Sequence, residues 1–212
     1  MASKNLETFI TQRLFWLGQS GFKILSNSGF VLYLDPFEVP VQSDPADLIL
    51  VSHPHRDHCN YEAMERLKKN LTVIVAPEKM AKKGLRGLTP GKTIEIGPVK
   101  VTGVPAYNVK KKFHPKVQQW LGYLVEVDGI QIYHAGDTDC IPEMKELRPD
   151  IALLPMGGLF TMNVKGALEA VELIKPQIVV PMHYGFLPGT KGAGRKFAKM
   201  WSGVTKVLTP LK

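Results

Sequence analysis

Short apolar runs broken by glycine, proline and polar turns carry most of the pattern in this chain. Residues 14–17 are apolar, Gly18-Gln19-Ser20-Gly21 follows as a turn, and residues 22–25 are apolar again but for Lys23. Ser26-Asn27-Ser28-Gly29 is a second turn, and residues 30–34 run apolar up to Asp35-Pro36. This spacing predicts a β-meander. The continuous run at 47–52 predicts a buried strand. Residues 61–69 carry Met64 and Leu67 at helical spacing with a basic end, so a helix is expected there. Strands are expected at 72–76, 93–96 and 99–104.

The second half keeps the style. Residues 122–127 and 130–134 flank Asp128-Gly129, a dipeptide suited to a two-residue hairpin turn. Residues 151–155 and 177–181 read as buried strands. Ala167, Leu168, Val171 and Ile174 form one stripe of a helix over 164–174, and a short helix is expected at 196–201. No repeat stands out. Strand-rich halves with helices between the later strands predict an α/β chain with two sheets and helices packed outside them. A length of 212 residues suits one domain spanning 1–212.

Composition adds a constraint on partners. Lys+Arg 27 against Asp+Glu 19 leaves a net charge of +8. That balance favours anionic partners, although a lysine-rich solvated surface is the simpler explanation. No apolar run approaches the roughly 20 residues that span a bilayer. Residues 1–13 include Asn5, Glu7, Gln12 and Arg13 and lack the apolar block of a signal peptide. Cys59 and Cys140 do not make a disulfide framework, and each reads as a small apolar side chain. A cytoplasmic location is the resulting expectation. Oligomeric state is not legible in the chain.

The chemistry falls where strands end. Asp35 follows 30–34, His53 follows 48–52, Asp137 follows 130–134 and His183 follows 178–182. If these strands run the same way, the four residues meet at one rim, a recurrent place for binding sites. His53-Pro54-His55-Arg56-Asp57-His58 concentrates three of the six histidines beside a carboxylate. Imidazole and carboxylate suit zinc, with manganese or iron as alternatives. His53 and His55 lie two apart and point to one side of an extended segment. Asp57 and His58 face differently, as expected if they serve a second metal. Gly136 lets the backbone bend closely before Asp137.

Ser52-His53-Pro54-His55-Arg56-Asp57-His58 resembles the His-x-His-x-Asp-His signature of the metallo-β-lactamase superfamily. Leu34-Asp35-Pro36, Tyr133-His134-Ala135-Gly136-Asp137-Thr138 and Pro181-Met182-His183-Tyr184-Gly185 extend the resemblance in the family's order. The compact length is similar to the metal-dependent hydrolase branch that includes relatives of ascorbate-6-phosphate lactonase and of the phospholipase D acting on N-acyl phosphatidylethanolamines. The resemblance implies an αββα sandwich, the metallo-β-lactamase fold, with two mixed β-sheets, helices on the outer faces, and halves meeting near residues 100–120. It implies two divalent metal ions, zinc first. His53 and His55 would hold one ion, Asp57, His58 and His183 the other, and Asp137 would bridge them. Asp35 would orient a ligand imidazole from behind. The family's further histidine is replaced by Asn108. His114 is the favoured substitute, with Asn108 as a weak ligand or a partly filled site as alternatives. His134 is a candidate for contact with the reacting centre or for support of a ligand, and a buried histidine is about as plain a reading.

Lys110-Lys111-Lys112 and the segment from Gly189 to Lys196 bring basic and glycine residues near this rim. Lys110, Lys191 and Arg195 are candidates to bind a small anionic substrate. The resulting expectation is a metal-dependent hydrolase. A hydroxide held by one or two divalent metals would attack an ester, lactone or phosphoester, with Asp57 orienting it and moving protons. A nuclease or other nucleic-acid phosphodiesterase is the alternative favoured by charge, but the basic residues lack the interleaved aromatics that stack bases. A non-catalytic metal-binding protein of the same fold is the third.

Overall fold

A computed structural model describes residues 5–81, 84–186 and 190–211. Among these, β1 (Leu14–Gly18), β2 (Gly21–Leu25), β3 (Val31–Leu34), β4 (Leu48–Leu50), β5 (Val73–Pro77) and β6 (Arg86–Leu88) form one sheet in chain order. β1 to β3 are antiparallel neighbours, and β3 to β6 are parallel. The second sheet holds β7 (Thr93–Ile96), β8 (Val99–Pro105), β9 (Leu121–Val127), β10 (Ile130–His134), β11 (Ile151–Pro155), β12 (Ile178–Met182) and β13 (Val204–Thr205). β7 to β10 are antiparallel, and β10 to β13 are parallel. Both sheets are therefore mixed. The helices are α1 (Leu6–Gln12), α2 (Tyr61–Leu67), α3 (Val164–Ile174) and α4 (Ala193–Met200).

Alternation of side chains across each sheet explains the layers. Trp16, Phe22, Leu34 and Leu50 of the first sheet share a core cluster with Val101, Tyr123, Val125 and Ile132 of the second. Leu17, Tyr33, Ile49 and Ile74 belong to another cluster with Ala63, Met64 and Leu67 of α2. The stripe of α3, including Ala167, Val171 and Ile174, is buried, and α4 packs on α3 and β12. This is the expected αββα arrangement. Tyr123 ties the sheets directly, donating from its buried hydroxyl to Val51 O at 2.7 Å. No helix of the described residues is long and apolar enough to cross a membrane.

The short strands β6 and β13 were not expected, and three further features differ from expectation. The sheets divide between Leu88 and Thr93, not near 100–120, because β7 and β8 pair onward to β9. α1 was not expected; Asn5 caps it by accepting from Thr8 N at 3.0 Å, and Leu6, Phe9 and Ile10 are buried. α4 begins at Ala193, three residues before the expected start. The predicted hairpin turn is present, with Asp128 and Gly129 at φ 52° and 74°.

Candidate metal centre

β3 and β4 run parallel, as do β10, β11 and β12, so their carboxyl ends lie together within each sheet. The two sheets bring these ends to one rim. Beyond β4 the chain bends at Pro54 and makes a helical turn, with His58 N donating to His55 O at 3.0 Å and Cys59 N to the same oxygen at 2.8 Å. This turn separates His53 and His55 from Asp57 and His58. Cys59 itself packs in the cluster with α2.

Three sets of donor atoms converge, each within 4.8 Å: His53, His55 and His114; His53, His58 and Asp137; and Asp57, His58 and His183. Asp137 lies at the centre. Its Oδ1 is 3.2 Å from His58 Nε2, and its Oδ2 is 3.2 Å from His183 Nε2 and 3.3 Å from His114 Nε2. His53 Nε2 lies 3.0 Å from His55 Nδ1. All seven of these residues are in loops or turns between the regular elements, and all but His55 and Asp57 are buried.

Polar neighbours aim the imidazoles. Asp35, at the end of β3, accepts from Ser52 N at 2.7 Å and from the Ser52 hydroxyl at 2.6 Å. Its Oδ2 also lies 2.7 Å from His58 Nδ1, which donates to it and turns His58 Nε2 toward Asp137. The Ser52 oxygen, 2.9 Å from His53 Nδ1, accepts from that nitrogen and leaves His53 Nε2 bare. Asn108 acts likewise on His114. Its Oδ1 lies 3.1 Å from His114 Nδ1, and its Nδ2 donates to Phe160 O at 2.9 Å, which sets the amide's orientation. Such outer partners hold tautomer and ring direction. His114 thus stands beside His53 and His55, with Asn108 behind it.

The residues fit a metal. His58 Nε2, His114 Nε2 and Asp137 Oδ1 are buried and have no hydrogen-bond partner, although a buried polar atom is ordinarily satisfied. All three point into the cluster. Charge tells the same story. Burial and the charge of His58 hold His53 well below the ordinary imidazole range, and burial with His114 lowers His55. Both are neutral, as ligands must be. Burial disfavours charge on His58 and His183, but Asp137 outweighs it: His58 is raised well above its ordinary value, helped by Asp35, and His183 is pushed up to about 9. Burial would raise Asp137 and Asp57, yet the neighbouring imidazoles hold both well below the carboxylate range. Three buried or half-buried carboxylates, Asp35, Asp57 and Asp137, thus share the positive charge on His58 and His183, charge that a divalent cation would supply.

Gln19 was not singled out from the sequence. It sits in the β1–β2 turn at φ 47°, where its Nε2 donates to Asp57 Oδ2 at 2.9 Å and lies 3.1 Å from His183 Nε2. Its carbonyl accepts from His183 N at 2.8 Å. Asp35 and His183 share its left-handed backbone, at φ 43° and 52°; such strain clusters at functional sites and persists only where surrounding contacts impose it. Trp120 was missed as well; its ring lies 5.1 Å from those of His53 and His55. Gly157 explains itself only in three dimensions, since a Cβ there would stand 2.6 Å from His183 O.

Other candidates fall elsewhere. His134 is fully buried behind the site; its Nε2 donates to Ser20 O at 2.8 Å and its Nδ1 accepts from Gly136 N at 3.3 Å. With both nitrogens turned to backbone it does not reach the rim. A cavity of about 110 Å³ opens beside Asp57 and His183, and Lys110, Lys191 and Arg195 are absent from its described lining. Lys110 borders a different cavity with Asp139 and Asn163. Lys191 and Arg195 are exposed, and Gly189 lies outside the described residues.

The family described as Beta-lactamase superfamily domain matches residues 13–183. A UPF0173 metal-dependent hydrolase of Archaeoglobus fulgidus is 35% identical over 198 residues, covering 83% of this chain and 84% of that protein. A second, from Thermococcus onnurineus, is 35% identical over 213 residues, covering 91% and 93%. Among solved structures, a candidate metal-dependent hydrolase from Parabacteroides distasonis superposes with a TM-score of 0.82 at 32% identity, covering 91% of this chain and 90% of that one. Igni18, a metallo hydrolase from Ignicoccus hospitalis, gives 0.76 at 25% identity, covering 94% and 95%.

Proposed function

Because the chain belongs to the metallo-β-lactamase superfamily, we propose that it is a metal-dependent hydrolase acting on an ester, lactone or phosphoester centre. The observation that carries this reading is the convergence of His53, His55, Asp57, His58, His114, Asp137 and His183, with three of their buried atoms unpartnered. His53, His55 and His114 would hold one divalent ion, zinc being the first choice for such donors, and Asp57, His58 and His183 a second, with Asp137 between. Bound there, such ions supply activation of water near neutral pH and polarisation of the scissile group.

The chain's own residues divide the remaining work. Asp35, Ser52 and Asn108 hold the imidazole nitrogens in place. Asp57 is half-buried and borders the cavity, whereas Asp137 is buried. On this reading Asp57 is the carboxylate that orients an attacking water and takes its proton at a carboxylate oxygen, supported by the Gln19 contact that fixes its direction. His134, enclosed by backbone, has no part in that transfer.

A panel of phosphodiesters, lactones and phosphomonoesters tests the reading with the metal found in the purified protein. Turnover of at least one class is expected, lost on chelation, restored by metal and abolished in His55→Ala. A metal-loaded protein that hydrolyses none of them would count against it.

A further inference from the structure

We propose that this rim takes a substrate whose group beside the scissile centre is compact and apolar, an aryl ring or a short branched chain, seated between Phe160, Tyr184 and Phe186. The proposal rests on the hydrolase reading and names the substrate's chemistry. The cavity beside Asp57 and His183 is walled by these three rings. Its volume of about 110 Å³ is somewhat below the roughly 150 Å³ of an apolar protein cavity that accommodates benzene, and it is open on one side, so a single ring or a four- to five-carbon branch suits it.

Each wall is held from behind by another aromatic. Tyr184 stacks on Trp16 with centroids 5.5 Å apart. Phe160 meets Phe113 edge-on at 4.7 Å. Phe186 leans on Phe37 at 6.1 Å. The backbone at Phe160 is pinned as well, since Phe160 O accepts from Asn108 and Thr161 O accepts from Lys111 at 2.7 Å. Walls supported in this way are preformed, the usual state of a small-molecule site. Phe186 is 62% exposed, and an exposed aromatic side chain at a cavity mouth suits a binding surface.

Charge points the same way. Among the described lining residues the ionisable groups at this cavity are Asp57, His183 and the Tyr184 phenol. Lys111, behind Thr161, is paired with Asp139. Beyond the ions themselves, an anionic substituent would meet a carboxylate and three ring walls; Arg195, whose charge acts on the Tyr184 phenol, is not among the described lining residues.

Calorimetric titration of the zinc-loaded protein with three hydroxamates, which share one metal-binding head, tests this. Benzohydroxamate should bind at least tenfold more tightly than acetohydroxamate, the scale set by filling an apolar pocket, and more tightly than the succinic monohydroxamate, which bears a carboxylate. In Phe160→Ala and Phe186→Ala, checked for folding by circular dichroism, the benzo-to-aceto ratio should fall toward one. Equal affinities in the wild-type protein, tightest binding of the succinic compound, or binding of none of the three would overturn the proposal; these wild-type comparisons do not depend on either variant folding. The hydrolase reading fails separately, as a protein that prefers benzohydroxamate yet turns over no ester, lactone or phosphoester.

Discussion

Asp35 Oδ2 and His58 Nδ1 lie 2.7 Å apart, both buried, at the junction of the two sheets. The pair begins a chain of contacts that runs from the end of β3 through His58 Nε2 to Asp137 Oδ1 at 3.2 Å, and so to the end of β10. Asp35→Asn keeps the side chain's size and suits the left-handed backbone at this position, but it removes the charge and one acceptor. Metal affinity should drop about 10–100-fold with the fold intact. Competition against a chromophoric chelator reads the affinity, and near-UV circular dichroism reads the fold.

Asn108 and His114 make a second such pair. If His114 is the third imidazole on the ion shared with His53 and His55, His114→Ala should lower metal stoichiometry by one equivalent. Asn108→Leu removes the acceptor for His114 Nδ1 and should weaken that ion by about tenfold without removing it. A stoichiometry unchanged in His114→Ala would leave the ion to other donors.

In the metal-free protein, His58 lies well above 6.5 and His183 near 9. A raised folded-state pKa gives stability that is complete below the unfolded value of 6.5 and is lost as pH rises through the folded value. Chelated protein should therefore be less stable toward urea at pH 9 than at pH 6.5. Metal displaces those protons, so its binding should release protons and tighten over the same interval. Calorimetry in buffers of different ionisation enthalpy measures the release; zero protons released would contradict the charge balance described above.

Tyr123→Phe isolates the bond between the sheets. Loss of its hydroxyl takes a 2.7 Å partner from the buried Val51 carbonyl, and such a loss costs about 1–3 kcal/mol. Equilibrium urea unfolding of the metal-free variant should show this destabilisation. Val51 lies two residues before His53, so metal affinity is a useful second readout.

Much of this structure is legible in the sequence because its signals are local. Asp128-Gly129 demands a turn with positive φ at both residues, and the stripe of α3 requires a buried face. The histidine run is visible because three imidazoles in six positions have little other use. What was not legible depends on distant partners. Gln19 looks like a turn residue until His183 and Asp57 arrive beside it. His134 ends a strand, as the ligands do, and only the approach of Ser20 O and Gly136 N shows that it faces backbone. Lys110, Lys191 and Arg195 are near the rim in sequence, yet the aromatic side chains of Phe160, Tyr184 and Phe186 take the cavity wall. β13, two residues long, is specified by pairing with β12 and by no pattern of its own.

Metal content of the wild-type protein and of Asp137→Ala, measured side by side after zinc loading and dialysis, tests the central claim most directly. Two equivalents per chain are predicted for the wild type, and loss of both ions or a collapse in their affinity for the variant, with circular dichroism unchanged. A folded wild-type protein that holds no metal, or an Asp137→Ala protein that keeps both ions at wild-type affinity, would contradict the account.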